Sequence, residues 1–86
     1  MKIIFYGSVL DYTNSEKSYE AKDSTSIREL IEELGSKYGA DFKTFLLGEE
    51  TCFFIVNGTG IMMTGGLDTK LFPQDKIEAL PFAEAG

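Results

Sequence analysis

Few residues of this 86-residue chain are of types that do chemistry unaided. Cys52 is the only cysteine, and histidine is absent. A lone cysteine forms no intramolecular disulfide. Without His, most zinc sites, the Ser-His and Cys-His nucleophile pairs and the usual general base near neutral pH are excluded. Cys52 opens an apolar run beside Phe53 with no cation close in sequence, the setting of a packed, unreactive thiol. Glu32 and Glu33 are adjacent, and on a helix they point roughly 100° apart, which makes them a poor acid and base pair and a natural solvated face. Glu49-Glu50 reads as a polar break. Gly58, Gly60 and Gly65-Gly66 belong to no GxGxxG or Walker loop, so nucleotide binding by this chain alone is not expected.

One chemical group remains, the carboxyl group at the end of Pro81-Phe82-Ala83-Glu84-Ala85-Gly86. Only small or turn-type residues follow Phe82. Two readings stand side by side. One is a frayed terminus, which most domains have. The other is an arm that presents a terminal carboxylate to another protein; five residues beyond Pro81 would reach about 17 Å when extended. Glycine has no Cβ, so its carboxyl group can enter a narrow channel. The group is ionised near neutral pH and is a poor electrophile until activated, which calls for ATP bound by a partner enzyme.

The elements that would position such a group must fit in one domain of 9.5 kDa. Hydrophobic residues make up 43% of the chain, including 7 Phe and 4 Tyr, too much apolar area for a disordered segment. The net charge of -6, with Arg28 as the only arginine, disfavours nucleic-acid binding. Acidity of this kind suits a basic protein partner or serves solubility alone. The longest apolar run, Phe53 to Val56, is too short for a bilayer, and the one before Gly7-Ser8 is too short for a secretory signal. No membrane association is expected, and the setting implied is a reducing cytoplasm. In that setting the Asn57-Gly58-Thr59 sequon is a turn.

Residues 2–9 predict an interior strand, with Ile3, Phe5 and Val9 on one face and Ile4 and Tyr6 on the other. Residues 15–22 alternate as a half-exposed edge strand, paired with the first as a hairpin. Ser26 and Glu29 have capping-box spacing, in which the Glu29 carboxylate would reach back to the Ser26 amide. Ile27, Leu30, Ile31, Leu34 and Tyr38 then form one helical stripe facing a core. Gly39 reads as a left-handed stop. Phe42, Phe45 and Leu46 fit one helical turn within 41–48. Residues 51–56 predict a strand, Asn57-Gly58 a two-residue turn, 61–63 a short returning strand, and 67–72 a single helical turn. Met62 and Met63 suit a contact surface, core filling or a hairpin edge. Pro73-Gln74-Asp75 predicts a turn before a last strand, 76–80, which Pro81 should stop. The fold class is therefore α+β, a four- to five-stranded sheet packed on one main helix. Residues 1–80 form the domain and 81–86 its tail.

The ordered set Lys2 to Val9, Ser26-Ile27-Arg28-Glu29-Leu30, Phe54-Ile55-Val56-Asn57-Gly58 and Leu71-Phe72-Pro73-Gln74-Asp75-Lys76-Ile77, followed by a six-residue tail, resembles the ubiquitin-like sulfur carriers of the MoaD/ThiS family. In length and in Pro81-Phe82 it is most like the small subunit of molybdopterin synthase. The resemblance covers nearly the whole chain and implies the β-grasp fold, here with a mixed sheet. It also implies that an E1-like adenylating enzyme activates the Gly86 carboxylate with ATP, and that a sulfur donor converts it to a thiocarboxylate. The large molybdopterin synthase subunit would then receive the sulfur, with Pro81, Phe82, Ala83, Glu84 and Ala85 threading its tunnel. No cofactor is bound by the carrier itself, and no acid or base is asked of it. Phe53, Ile55 and Leu80 form a candidate docking surface. Three positions depart from the family pattern: Gln74 replaces the turn glycine, Phe82 a second proline, and Ala85 the penultimate glycine. Ala85 adds a methyl group that a tight tunnel must accommodate. The competing expectations are a non-catalytic β-grasp adaptor, a ubiquitin-like modifier conjugated through Gly86, and a thiamine-type carrier.

Overall fold

A computed structural model describes residues 1–48 and 51–82. Glu49, Glu50 and the expected tail residues Ala83, Glu84, Ala85 and Gly86 lie outside the described residues. Helix α1 (Ile27–Tyr38) starts as its sequence dictates: the Glu29 amide donates to Ser26 Oγ at 3.2 Å. The reciprocal bond differs from the expected box. The Glu29 carboxylate accepts from the Thr25 amide and hydroxyl, both at 2.8 Å, rather than from the Ser26 amide. Ile27, Leu30, Ile31 and Leu34 are buried along one stripe. Gly39 ends the helix at φ 115°, ψ 164°. That is a glycine-only region distinct from the left-handed conformation expected there. It turns the chain directly into α2 (Ala40–Leu47), two turns long where one was expected. Phe42 of α2 is fully buried, and its ring meets Phe5, Tyr12 and Tyr38 at centroid separations of 5.5–5.9 Å.

The strands are β1 (Lys2–Phe5), β2 (Ser18–Glu20), β3 (Cys52–Val56), β4 (Thr59–Gly60) and β5 (Lys76–Pro81), in the sheet order β2-β1-β5-β3-β4. Strand β1 is interior and β2 is the edge, as the two-sided and one-sided patterns imply. The first strand is nevertheless shorter than expected. Gly7, at φ 57°, turns the chain into a 3-10 segment, Gly7–Asp11, which still delivers Val9 to the core. Asn57 and Gly58, at φ 51° and 86°, provide the two positive φ angles of a primed hairpin turn. The return strand is therefore Thr59–Gly60, and residues Ile61–Met63 are a 3-10 turn instead of the expected strand. A second such turn covers Gly66–Asp68, at the start of the segment expected to be helical.

Strand β5 is the centre of the molecule. It pairs parallel with β1 and antiparallel with β3. Ile3, Phe5, Phe54, Ile77 and Ala79 point from these three strands into one core shared with both helices. Among the described residues no helix is long and apolar enough to cross a membrane.

Candidate functional site

The side of the sheet away from the helices carries the candidate surface. Strand register places its side chains in rows. Glu20, Lys2 and Lys76 stand abreast at one end, Ser18, Ile4, Glu78 and Ile55 follow, and Leu80 sits opposite Phe53. The face thus grades from charged to apolar along β5. The predicted trio Phe53, Ile55 and Leu80 is brought together, each residue half-buried. Tyr6 is 38% exposed, and its hydroxyl donates to Glu78 Oε2 at 2.8 Å. That hydrogen bond, more than the charge of Glu78, holds the Tyr6 hydroxyl above its ordinary pKa.

Two devices fix β5 at its ends. At the start, Asp75 is buried and accepts from the Phe72 amide at 2.8 Å and from Asn57 Nδ2 at 2.9 Å. Asn57 in turn accepts from the Lys76 amide at 3.0 Å. The Asp75 turn and the Asn57 hairpin turn are therefore one hydrogen-bonded unit. At the other end the strand runs one residue past its expected stop: Pro81 lies opposite Cys52, and the Phe82 amide donates to the Thr51 carbonyl at 3.0 Å.

Phe82, assigned to the tail by composition, joins the candidate surface. Its ring meets Phe53 edge-on, with centroids 5.7 Å apart and planes at 83°, while 55% of the residue stays exposed. Local sequence offered no signal for this contact, because its partner is 29 positions away and only the β3–β5 register joins the two. Met62 and Met63, 91% and 82% exposed, fill no core.

Cys52 is packed, as its apolar neighbours imply. Cys52 is buried, and desolvation pushes its thiol up to about 12, only partly offset by a hydrogen bond with the Leu80 backbone. It is protonated at neutral pH and unreactive. Of the adjacent glutamates expected on a solvated face, Glu32 is exposed, but Glu33 is half-buried and ties α1 to the chain before it. It accepts from Tyr19 Oη at 2.6 Å, Ser24 Oγ at 2.8 Å and the Lys22 amide at 3.1 Å. Burial alone would raise its pKa, but these bonds and the Lys22 charge together hold it below the ordinary value. Among the described residues no cluster of three or more His, Cys, Asp or Glu could hold a metal ion.

A mixed sheet with its last strand in the middle, crossed by a helix on one side, is the β-grasp layout. The sequence profile of the ThiS family matches residues 3–86. A chain of the Amycolatopsis orientalis BexX/CysO complex superposes with a TM-score of 0.84 at 27% identity, covering 99% of this chain and 98% of that one. Mycobacterium tuberculosis CysO gives 0.81 at 18% identity, covering 93% and 96%. A putative molybdopterin converting factor subunit 1 from Pyrococcus furiosus gives 0.70 at 22% identity, covering 93% of each chain. No curated protein matches. The chain belongs to the ThiS family of ubiquitin-like sulfur carriers.

Proposed function

We propose that this carrier works as a molybdopterin synthase small subunit does, with Gly86 as the sulfur-bearing residue. The observation that carries the reading is the family match, which runs through position 86. The central strand β5, which leads toward that position along the apolar end of the open face, supports it. The Gly86 carboxylate attacks the α-phosphorus of ATP bound by an E1-like adenylating enzyme, giving an acyl adenylate and pyrophosphate. A sulfide equivalent from the donor then displaces AMP and leaves a thiocarboxylate. From a root at Pro81 and Phe82, the residues Ala83, Glu84 and Ala85 lead this group into the large synthase subunit, whose own residues supply the acid and base. The carrier needs no cofactor of its own, and a reducing cytoplasm suits a chain with one buried thiol.

Incubation with an E1-like enzyme, ATP and a sulfur donor should raise the intact mass by one oxygen-to-sulfur exchange, located on Gly86. Deletion of Gly86 should abolish the gain, and an unchanged mass in the native chain would refute the reading. The Ala85→Gly variant should be adenylated faster if the methyl group meets a steric penalty in the activating enzyme's channel.

A second reading concerns the acceptor. The Amycolatopsis neighbour, at higher identity and TM-score than the Pyrococcus one, belongs to a complex between a CysO and BexX. That favours a carrier serving an enzyme other than molybdopterin synthase. Mixing the thiocarboxylated chain with a large molybdopterin synthase subunit and its precursor separates the two, because only the first reading predicts sulfur transfer there.

A further inference from the structure

We infer that Phe82 is a latch that holds the root of the C-terminal segment on the open sheet face, so that the point of departure toward Gly86 is Phe82 rather than Leu80. Its role toward a partner rests on the carrier reading above; its role within the molecule does not.

Three contacts act together over two residues. Pro81 sits in register opposite Cys52. Proline has no amide hydrogen to donate, so the ladder gains nothing from its nitrogen. The next donor, the Phe82 amide, closes the β3–β5 pairing on the Thr51 carbonyl at 3.0 Å. The Phe82 ring then lies edge-on to Phe53 at 5.7 Å, the geometry in which aromatic pairs attract beyond the area they bury. A small residue at position 82 would still carry the amide donor but lose the ring, and the pairing would open from its end. Four residues remain from Phe82 to Gly86. Fully extended they span no more than about 14 Å. Fixing their origin limits both how far and in which direction the terminal carboxylate can be offered, so a partner that receives it has less chain to order on binding. Phe82 is a positioning residue in this scheme and touches no reacting atom.

The test has two arms. In solution NMR of the full chain, contacts between the Phe82 and Phe53 rings and slowed exchange of the Phe82 amide are expected. Phe82→Ala should lose both while the core resonances stay dispersed, and Phe82→Tyr should retain them. Absence of the ring contact or of amide protection in the native chain overturns the latch. In the second arm, an E1-like enzyme that adenylates the native chain is followed by ATP–pyrophosphate exchange. Phe82→Ala should raise KM for the carrier about 3- to 10-fold with kcat nearly unchanged, and Phe82→Tyr should restore it. Phe53→Leu should raise KM in the same direction, and the double variant should be no worse than Phe82→Ala alone. Additive losses would mean that Phe82 touches the partner directly, and an unchanged or lowered KM in Phe82→Ala would mean that the latch does not position. Either result overturns the inference. If the native chain is not adenylated at all, the carrier reading falls and the NMR arm alone decides the latch.

Discussion

Cys52 shows how little its type says about its role. The thiol is buried beneath the sheet and pushed up to about 12 by desolvation. Alkylation by iodoacetamide at pH 8 should therefore run about a hundredfold or more slower in the native chain than in the urea-unfolded one. Comparable rates would place the thiol in solvent. The packed-thiol reading was available from the sequence, since apolar neighbours and no nearby cation already implied it. The role of Phe82 was not, because composition assigns it to a terminal segment and its partner is defined only by strand register.

At the scale of elements, Gly39 and the Tyr19–Glu33 pair carry sharp expectations. Gly39 joins α1 to α2 at φ 115°, ψ 164°. Among the described residues, nothing beyond its own chain neighbours lies within 4 Å of an added Cβ, so any penalty there is conformational. Gly39→Ala should cost about 1–3 kcal/mol in chemical denaturation. The pair of Tyr19 and Glu33 ties the edge strand and its following loop to α1. The bond to Glu33 pushes the Tyr19 hydroxyl up to about 12 from its ordinary 10.0. Its contribution is complete below pH 10 and is lost as pH rises toward 12. The Glu33 carboxyl is held below its ordinary 4.5. Its contribution is complete above that value and is lost as pH falls through the lower folded value. Stability measured against pH should therefore fall on both flanks, and Tyr19→Phe should remove much of the alkaline decline at this site.

The elements themselves were unequally legible. Ser26, Glu29 and the Ile27–Leu34 stripe announced α1 because capping and 3.6-residue periodicity act locally. The alternation overstates strand β1 because Val9 continues it, yet a 3-10 turn after Gly7 also points Val9 inward. Apolar content puts strand β4 two residues late. Ile61, Met62 and Met63 are more apolar than Thr59-Gly60, but a two-residue turn forces pairing to resume at once.

For the whole molecule, one core serves everything. Ile77 is fully buried on the central strand. Ile77→Ala should cost about 2–5 kcal/mol in the denaturation midpoint analysis, out of a total of about 5–10 kcal/mol for a domain this size. A loss well under 1 kcal/mol would contradict the packing described. The fold as a whole was readable, since the element order, one amphipathic helix and the two-sided strands leave few α+β arrangements. The acceptor was not, because residues that select a partner need only be exposed and leave no periodic trace.

The parallel pairing of β1 with β5 has a mechanical consequence. The chain enters at the beginning of one of these strands and leaves at the end of its neighbour, so tension between the two ends slides the strands lengthwise past each other. All the cross-links of that ladder then bear the load together instead of parting one by one.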